Sequence, residues 1–561
     1  ADKYIPEKDY WTYNTDRGIG LNFGLESGDP EKGYEIMLGD GNVHALMVGA
    51  TGAGKSAAIN QILCNLLRKY SPKDLELVMV DFKNVEFATY TDKDTDLSRI
   101  PHAKIIAGTK DGEYAVSVFE YLLHEMNRRT EIFAKAGVKK LEDYNKQCRA
   151  AGEADKCLPR IIVLIDEFQV MFTEVEAKIV EKINGYITSL SKLARFCGCH
   201  MFFTSQSMKG TMQKDVMDQF SLRAALRCSK EVSTTIIGSE DAGKIKTKFG
   251  YLYTNTSGGE DSSTTKIWRV PFASDKVLYD TMDLMSTLEE ARGYHCERAL
   301  FYNEKKQHFQ EELLKLYEER DGLSSAPRVL FLGERTNFSL NPAPVNFNFT
   351  VDDGENLAIV AFEREDLLNM CMTIIDNVLA KKDAKLLINT ADKDTGYLLD
   401  INKYLNEQVQ EFSGPDFTYE DWIELLEDII ESRKETDTQE LKPMFMLCIL
   451  WEKCRGVGRE TNYKLEERFK RILQEGPTVD LHFIFVDKIG KELPSFILNC
   501  CSHRIAAKTD ENVAYKYVNT SSPTKFPSSG FAIYSYGSTQ SKFKIYQHSF
   551  TRELESRELV L

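Results

Sequence analysis

The amino-acid sequence predicts an α/β protein of two related domains, each a doubly wound and mainly parallel sheet, joined by a helical linker. Three observations carry this expectation. Short uninterrupted apolar runs, ending at Val48, Val80, Ile165 and Phe203, alternate with longer segments of helical spacing, the pattern of a parallel sheet covered on both faces. Each run ends in a polar cluster, and function in such sheets gathers at the carboxyl ends of strands. The second half of the chain repeats the order of the first in faded form. A length of 561 residues is too great for one ordinary core and fits a duplication.

Taken in order, residues 1–33 read as a lead-in segment and 34–275 as the first domain. A strand ending at Val48 runs into the glycine loop 49–56, and a helix follows from Ala57 to about Lys69. The strand Leu75 to Val80 ends in Asp81-Phe82-Lys83. Glu113 to Ala136 has helical spacing and stops before Gly137. The strand Ile161 to Ile165 ends in Asp166-Glu167, residues 175–196 form an amphipathic helix, and the strand His200 to Phe203 ends in Thr204-Ser205-Gln206. Residues 276–325 read as the helical linker, ended by the breaker Ser324-Ser325-Ala326-Pro327. In the second domain, 326–561, Asn356 to Ala361 parallels His44 to Gly49, and Met444 to Leu450 parallels the strand ending at Ile165. Leu481 to Phe485 parallels Cys199 to Phe203, His503 to Lys508 parallels Leu222 to Arg227, and Gly530 to Tyr534 parallels Gly250 to Tyr253.

Seventy-one Lys and Arg against 86 Asp and Glu give a net charge of −15, which excludes a uniformly basic nucleic-acid binder but not a local basic groove. With 42% apolar and 11% aromatic residues the composition is that of a soluble globular protein, and no apolar run approaches the roughly 18 residues of a membrane span. The chain reads as cytoplasmic. It starts at Ala1 without an initiator Met or an apolar signal core, so membrane association is expected only through an upstream region. The 12 cysteines lack paired C-x-x-C spacing and read as reduced thiols.

Gly49-Ala50-Thr51-Gly52-Ala53-Gly54-Lys55-Ser56 meets every fixed position of G-x-x-x-x-G-K-[ST] between a strand and a helix. Glycines there let backbone N–H groups turn inward around phosphates, and the helix start adds its positive dipole end. ATP and Mg²⁺ are the implied cofactors, with Lys55 on the β and γ phosphates and Ser56 on the metal. An apolar strand delivering Asp166 and Glu167 supplies a metal-organising carboxylate and a second one that orients or deprotonates water. Gln206 is either a sensor of the γ phosphate or a surface glutamine. His44, His102 and His200 lie beside apolar runs and read as structural histidines.

These motifs together resemble the FtsK/SpoIIIE family of motor ATPases. The resemblance rests on the glycine loop at 49–56, VMVDFKNVEF at 78–87, EMNRRTEIFAKAGVKKLEDYN at 125–145, RIIVLIDEF at 160–168, CHMFFTSQS at 199–207, FSLRAALRCSKEVSTTIIG at 220–238 and GYLYT at 250–254. It implies a RecA-like P-loop core, a hexameric ring, and ATP hydrolysis coupled to moving a polymer through the ring. One branch of the family moves double-stranded DNA, the leading expectation. The other, the tandem-domain EccC/EssC branch, drives type VII protein secretion; Asp81-Phe82-Lys83 and the tandem layout resemble it, but Asn84 and Val85 replace the glycines usual there. A third expectation is an ATP-binding switch or scaffold with slow turnover. The resemblance further implies an arginine acting across a subunit boundary, with Arg223 first and Arg227 and Arg195 behind it; the other reading of Arg223 is a structural ion pair. Lys244, Lys246 and Lys248 form a stripe that either faces a polyanion or is plain solvated surface.

The second domain departs from the pattern where phosphate chemistry needs it. Its counterpart of the glycine loop reads Ala361-Phe362-Glu363-Arg364-Glu365-Asp366-Leu367-Leu368, and its counterpart of the acidic pair reads Trp451-Glu452. It is expected not to hydrolyse ATP.

Overall fold

The computed structural model describes residues 7–26, 33–302, 326–336 and 344–548, apart from 84, 93–97, 110–113, 174, 176, 209–212, 247–249, 272, 297, 382, 391–402, 412–417, 438–439, 450–462, 489–492 and 527–528. Two compact units divide the chain: Ala1–Glu304 with Asn337–Leu340, and Lys305–Thr336 with Asn341–Leu561.

The first unit is built on an 11-stranded sheet. Its strands are β1 (Gly18–Glu26), β2 (Gly33–Gly39), β3 (Ala45–Val48), β4 (Leu75–Asp81), β5 (Ala103–Gly108), β6 (Arg160–Asp166), β7 (Cys199–Ser205), β8 (Leu222–Ala225), β9 (Tyr251–Asn255), β10 (Lys266–Arg269) and β11 (Ala299–Tyr302). They lie in the order β11-β5-β4-β6-β7-β3-β8-β9-β10-β1-β2. From β11 to β8 neighbours are parallel, and from β8 to β2 they are antiparallel. The parallel strands read as solid apolar runs because both faces are covered. Every residue of β3, β6 and β7 is buried. One face packs against α1 (Lys55–Lys69), and the other against α2 (Tyr114–Ala136) and a helix at Ala177–Cys197.

Strand register levels the functional ends. Val48 of β3 lies opposite Ser205 of β7 and Ala225 of β8. Asp166 of β6 lies opposite Asp81 of β4 and Thr204 of β7. The motif helix α2 is anchored by a buried cation: Arg129 donates to Glu125 Oε1 at 2.8 Å, to the Pro159 carbonyl at 2.7 Å and to the Cys197 carbonyl at 3.0 Å.

Two expected boundaries shift. The lead-in contains β1 and β2, which close the antiparallel end of the sheet, with Leu25 opposite Arg269. The connector begins as a helix at Asp275–Arg292 whose Leu278, Met282 and Met285 are buried in the first unit's core, and then enters the same sheet as β11. The remainder of that connector, 303–325, lies outside the described residues.

The second unit repeats the plan. Its ten strands are β12 (Val329–Arg335), β13 (Pro344–Asn348), β14 (Leu357–Ala361), β15 (Lys385–Thr390), β16 (Val409–Glu411), β17 (Met444–Ile449), β18 (Leu481–Lys488), β19 (His503–Ala507), β20 (Phe531–Tyr536) and β21 (Thr539–Ile545). The order β16-β15-β17-β18-β14-β19-β20-β21-β12-β13 matches β5-β4-β6-β7-β3-β8-β9-β10-β1-β2 position for position. The five sequence parallels fall on matching strands: β14 with β3, β17 with β6, β18 with β7, β19 with β8 and β20 with β9. Arg504 of β19 even repeats the bonding of Arg223, donating to the Cys501 and Leu498 carbonyls at 3.1 and 3.0 Å.

Candidate functional site

The glycine loop leaves β3 between two neighbours that hold it. The Gly49 N–H donates to the Ser205 carbonyl at 3.1 Å, and the Ala50 N–H to the Arg227 carbonyl at 2.9 Å. A Cβ on Gly49 would meet Leu226 Cβ at 2.9 Å. Gly52 (φ 71°) and Gly54 (φ 96°) take left-handed conformations that a side chain would strain. Helix α1 then starts at Lys55 with Gly54 at its N-cap and no side chain capping it, so its first N–H groups are available to an anion.

Lys55 is buried, and its Nζ lies 2.5 Å from Asp166 Oδ1 and 2.5 Å from Glu167 Oε1. Burial opposes the charge on Lys55, but the two carboxylates outweigh it and hold the ammonium above its ordinary pKa. Burial pushes the Asp166 carboxyl up, in spite of Lys55 and a hydrogen bond from Thr204 Oγ1. Glu167 is buried as well, yet its pKa is lowered, because Lys55, Gln169 and Lys83 all favour the carboxylate. Gln169 Nε2 donates to Glu167 Oε2 at 2.6 Å, and Lys83 Nζ lies 3.2 Å from Glu167 Oε1. Glu167 itself sits at φ 54°, a strained backbone held by this web, as occurs at functional sites.

Two further contacts complete the site. Thr51 Oγ1 donates to Gln206 Oε1 at 2.9 Å, which brings Gln206 to the loop tip. Ser56 Oγ donates to Glu86 Oε1 at 2.6 Å. The residues fit ATP with Mg²⁺ on one telling observation: Asp166 Oδ2 is buried without a hydrogen-bond partner among the described residues, an acceptor left over on the carboxylate that holds Lys55.

Arg223, the first choice for an arginine acting between subunits, is bonded within its own unit. It is buried, and its guanidinium is spent within its own fold: on the Phe220 carbonyl at 3.0 Å, Met217 carbonyl at 3.1 Å, Thr235 carbonyl at 3.3 Å and Asp218 Oδ1 at 3.5 Å. Arg195, at the end of its helix, keeps a side chain 53% exposed, 3.7 Å from Asp40. Of the lysine stripe, Lys244 pairs with Asp241 at 3.2 Å, Lys246 is exposed, and Lys248 lies outside the described residues.

The ordered motifs lie at the strand ends of the first unit's sheet. Residues 12–242 match the FtsK/SpoIIIE family. That match lies within the first unit. Over 215 residues the chain is 32% identical to the DNA translocase FtsK of Clostridium tetani, covering 37% of this chain and 27% of that protein. Over 288 residues it is 30% identical to the DNA translocase FtsK of Staphylococcus epidermidis, covering 50% of this chain and 33% of that protein. The chain thus spans about a third or less of the length of these relatives. Both units together share their fold with the cytoplasmic domain of the type VII secretion ATPase EccC of Thermomonospora curvata, with TM-score 0.70 and 16% identity over 98% of this chain and 66% of that one. EssC ATPases 2 and 3 of Geobacillus thermodenitrificans give TM-score 0.59 and 16% identity over 97% of this chain and 99% of that one. At such identities the likeness is one of fold.

The second unit keeps the counterpart of β3 but not the glycine loop that follows it. After β14 the chain passes through exposed Phe362 and enters a helix at Arg364–Leu379 with Glu365 and Asp366 in its first turn, where no glycine cradle exists. Asp366 is buried and accepts from the Gly530 N–H at 2.8 Å. Trp451 and Glu452 lie outside the described residues. Sequence reasoning missed Lys83, Glu86, Gln169 and Thr204 as parts of the site. Lys83 and Glu86 lie in the motif VMVDFKNVEF, which by itself assigns them no role, and Gln169 and Thr204 each lie two residues from Glu167 and Gln206 respectively.

Proposed function

We propose that the first unit binds and hydrolyses ATP with Mg²⁺, and that the chain uses turnover to move a polymer as a ring-forming motor. The observation that carries the reading is the buried convergence of Lys55, Asp166 and Glu167 beneath an uncapped glycine loop. In it, Lys55 leaves the two carboxylates to pair with the β and γ phosphates, and the loop N–H groups cradle them. Ser56 and Asp166 Oδ2 would hold Mg²⁺, which supplies charge to offset the phosphates. Glu167 accepts a proton from the attacking water, while Gln169 and Lys83 keep its carboxylate in place. Gln206, tied to Thr51, reports the state of the loop to β7. Arg195 is the exposed cation available to a neighbouring subunit.

Double-stranded DNA is the leading cargo, supported by the 30% and 32% identity to proteins named DNA translocases. The tandem arrangement favours a second reading, protein cargo, because it is the layout of EccC and EssC, and the EccC tandem has been seen with a signal sequence peptide. The two separate in one experiment. ATPase activity of the full chain is measured with double-stranded DNA at low and high salt, and with secreted proteins or their signal peptides. DNA cargo requires stimulation that falls steeply with salt, because phosphate contacts release counterions. Stimulation by peptide alone supports secretion, and no hydrolysis under any condition rejects the motor.

A further inference from the structure

We propose that Glu86 is a positioning residue for Mg²⁺, turning the Ser56 hydroxyl so that its oxygen faces the metal. This rests on the reading of residues 49–56 as an ATP site. Asp81 is the last residue of β4. Its carboxylate accepts from four backbone N–H groups of the following loop: Lys83 at 2.8 Å, Val85 at 2.7 Å, Glu86 at 2.6 Å and Phe87 at 3.4 Å. One carboxylate thereby folds the loop back on the strand end. These donors are main-chain groups, and the side chain of Glu86 is delivered to the first turn of α1.

There Ser56 Oγ lies 2.6 Å from Glu86 Oε1. A carboxylate only accepts, so the hydroxyl donates. A hydroxyl that ligates a cation must offer its lone pairs and point its proton elsewhere. A hydrogen bond to Glu86 achieves both and adds negative charge beside the cation. Without Glu86 the Ser56 proton is free to turn to a backbone carbonyl one turn back or toward the metal itself. The same loop sends Lys83 to Glu167 at 3.2 Å, so one Asp81-folded segment sets both the metal-binding hydroxyl and the catalytic carboxylate. Partners of metal ligands carry this kind of weight: losing one costs about 10- to 100-fold in metal affinity.

The test uses the full chain and a fluorescent ATP analogue, with affinity measured in Mg²⁺ and in EDTA. The readout is the Mg²⁺ enhancement, the ratio of the two dissociation constants. Glu86→Ala is expected to lower it about tenfold and the isosteric Glu86→Gln about threefold, while affinity in EDTA stays within about twofold of wild type. Ser56→Ala is expected to lose a similar factor, and adding Glu86→Ala to it to change little further. An enhancement unchanged in both Glu86 variants overturns the proposal. So does a parallel loss in Mg²⁺ and EDTA, which marks a purely structural role, or a full additional loss in the double variant. A wild-type chain that fails to bind the analogue rejects the ATP site along with this proposal, whereas binding with Mg²⁺ enhancement indifferent to Glu86 rejects this proposal alone.

Discussion

Replacing Glu167 with Gln separates binding from turnover in a way the site geometry quantifies. In the wild type Lys55 is held by two carboxylates at 2.5 Å each, and phosphate must draw it away from both. A hydrogen bond to a charged group contributes about 1.5–3 kcal/mol, and a neutral amide acceptor about half of that. The substitution therefore weakens the competitor of phosphate by roughly 1 kcal/mol, and ATP affinity should rise about fivefold. Turnover should fall by about 10²- to 10⁴-fold, the usual contribution of a general base. Titration with a fluorescent ATP analogue and a phosphate-release assay measure the two effects. Turnover within about threefold of wild type would remove Glu167 from the catalytic role. Weaker affinity than wild type would refute the argument that the carboxylates compete with phosphate for Lys55.

Arg223→Ala should lower stability by about 2–4 kcal/mol, seen as a fall in the unfolding midpoint, because three carbonyls lose their donor; unchanged stability with a defect only in the assembled motor would restore the intersubunit role. Buried His44 and His200, with pKa values lowered to about 3, and His102, lowered to about 4, stay neutral in the fold, chiefly because of burial. The unfolded chain takes up protons below about pH 6.5, so their stabilising effect is full above that pH and is lost as pH falls toward 4. By pH 5.5 the loss should reach about 1 kcal/mol per histidine in urea unfolding of the first unit; a midpoint independent of pH between 7 and 5.5 would contradict this. Gly54→Ala forces a side chain into φ 96° and should cost about 1–2 kcal/mol together with most ATP binding, read by thermal unfolding and titration; wild-type binding would remove the need for that backbone turn.

The site was legible where local sequence alone sets it. A glycine loop between an apolar strand and a helix needs no tertiary information, and neither does an acidic pair ending an apolar run. The duplication was legible for the same reason, since parallel strands buried on both faces keep a solid apolar signature even after their loops change. What was hidden depends on partners distant in sequence. The partners of Arg223, the turn at Met217 to Phe220 and the carbonyl of Thr235, meet it only in the folded unit. The helix at Asp275–Arg292 carries its apolar stripe openly, but nothing local says that the stripe packs on the first unit rather than standing as a connector. Strand β1 was missed because glycines at 18, 20 and 24 mask its apolar alternation, and two of them are small for a tertiary reason: a Cβ on Gly18 would meet the Leu38 carbonyl oxygen at 2.4 Å and one on Gly24 the Arg269 carbonyl oxygen at 2.3 Å. Glu86 was hidden in the same way, since only the fold of the Asp81 loop brings it to Ser56.

The central claim is that phosphate chemistry resides in the first unit alone, with the second retained as a fold without a cradle. Equilibrium titration of the full chain with Mg²⁺ and a fluorescent ATP analogue, in wild type and in Lys55→Ala, tests it most directly. The account predicts one site per chain in the wild type and none in the variant. Two sites per chain, or a site that survives Lys55→Ala, would contradict it.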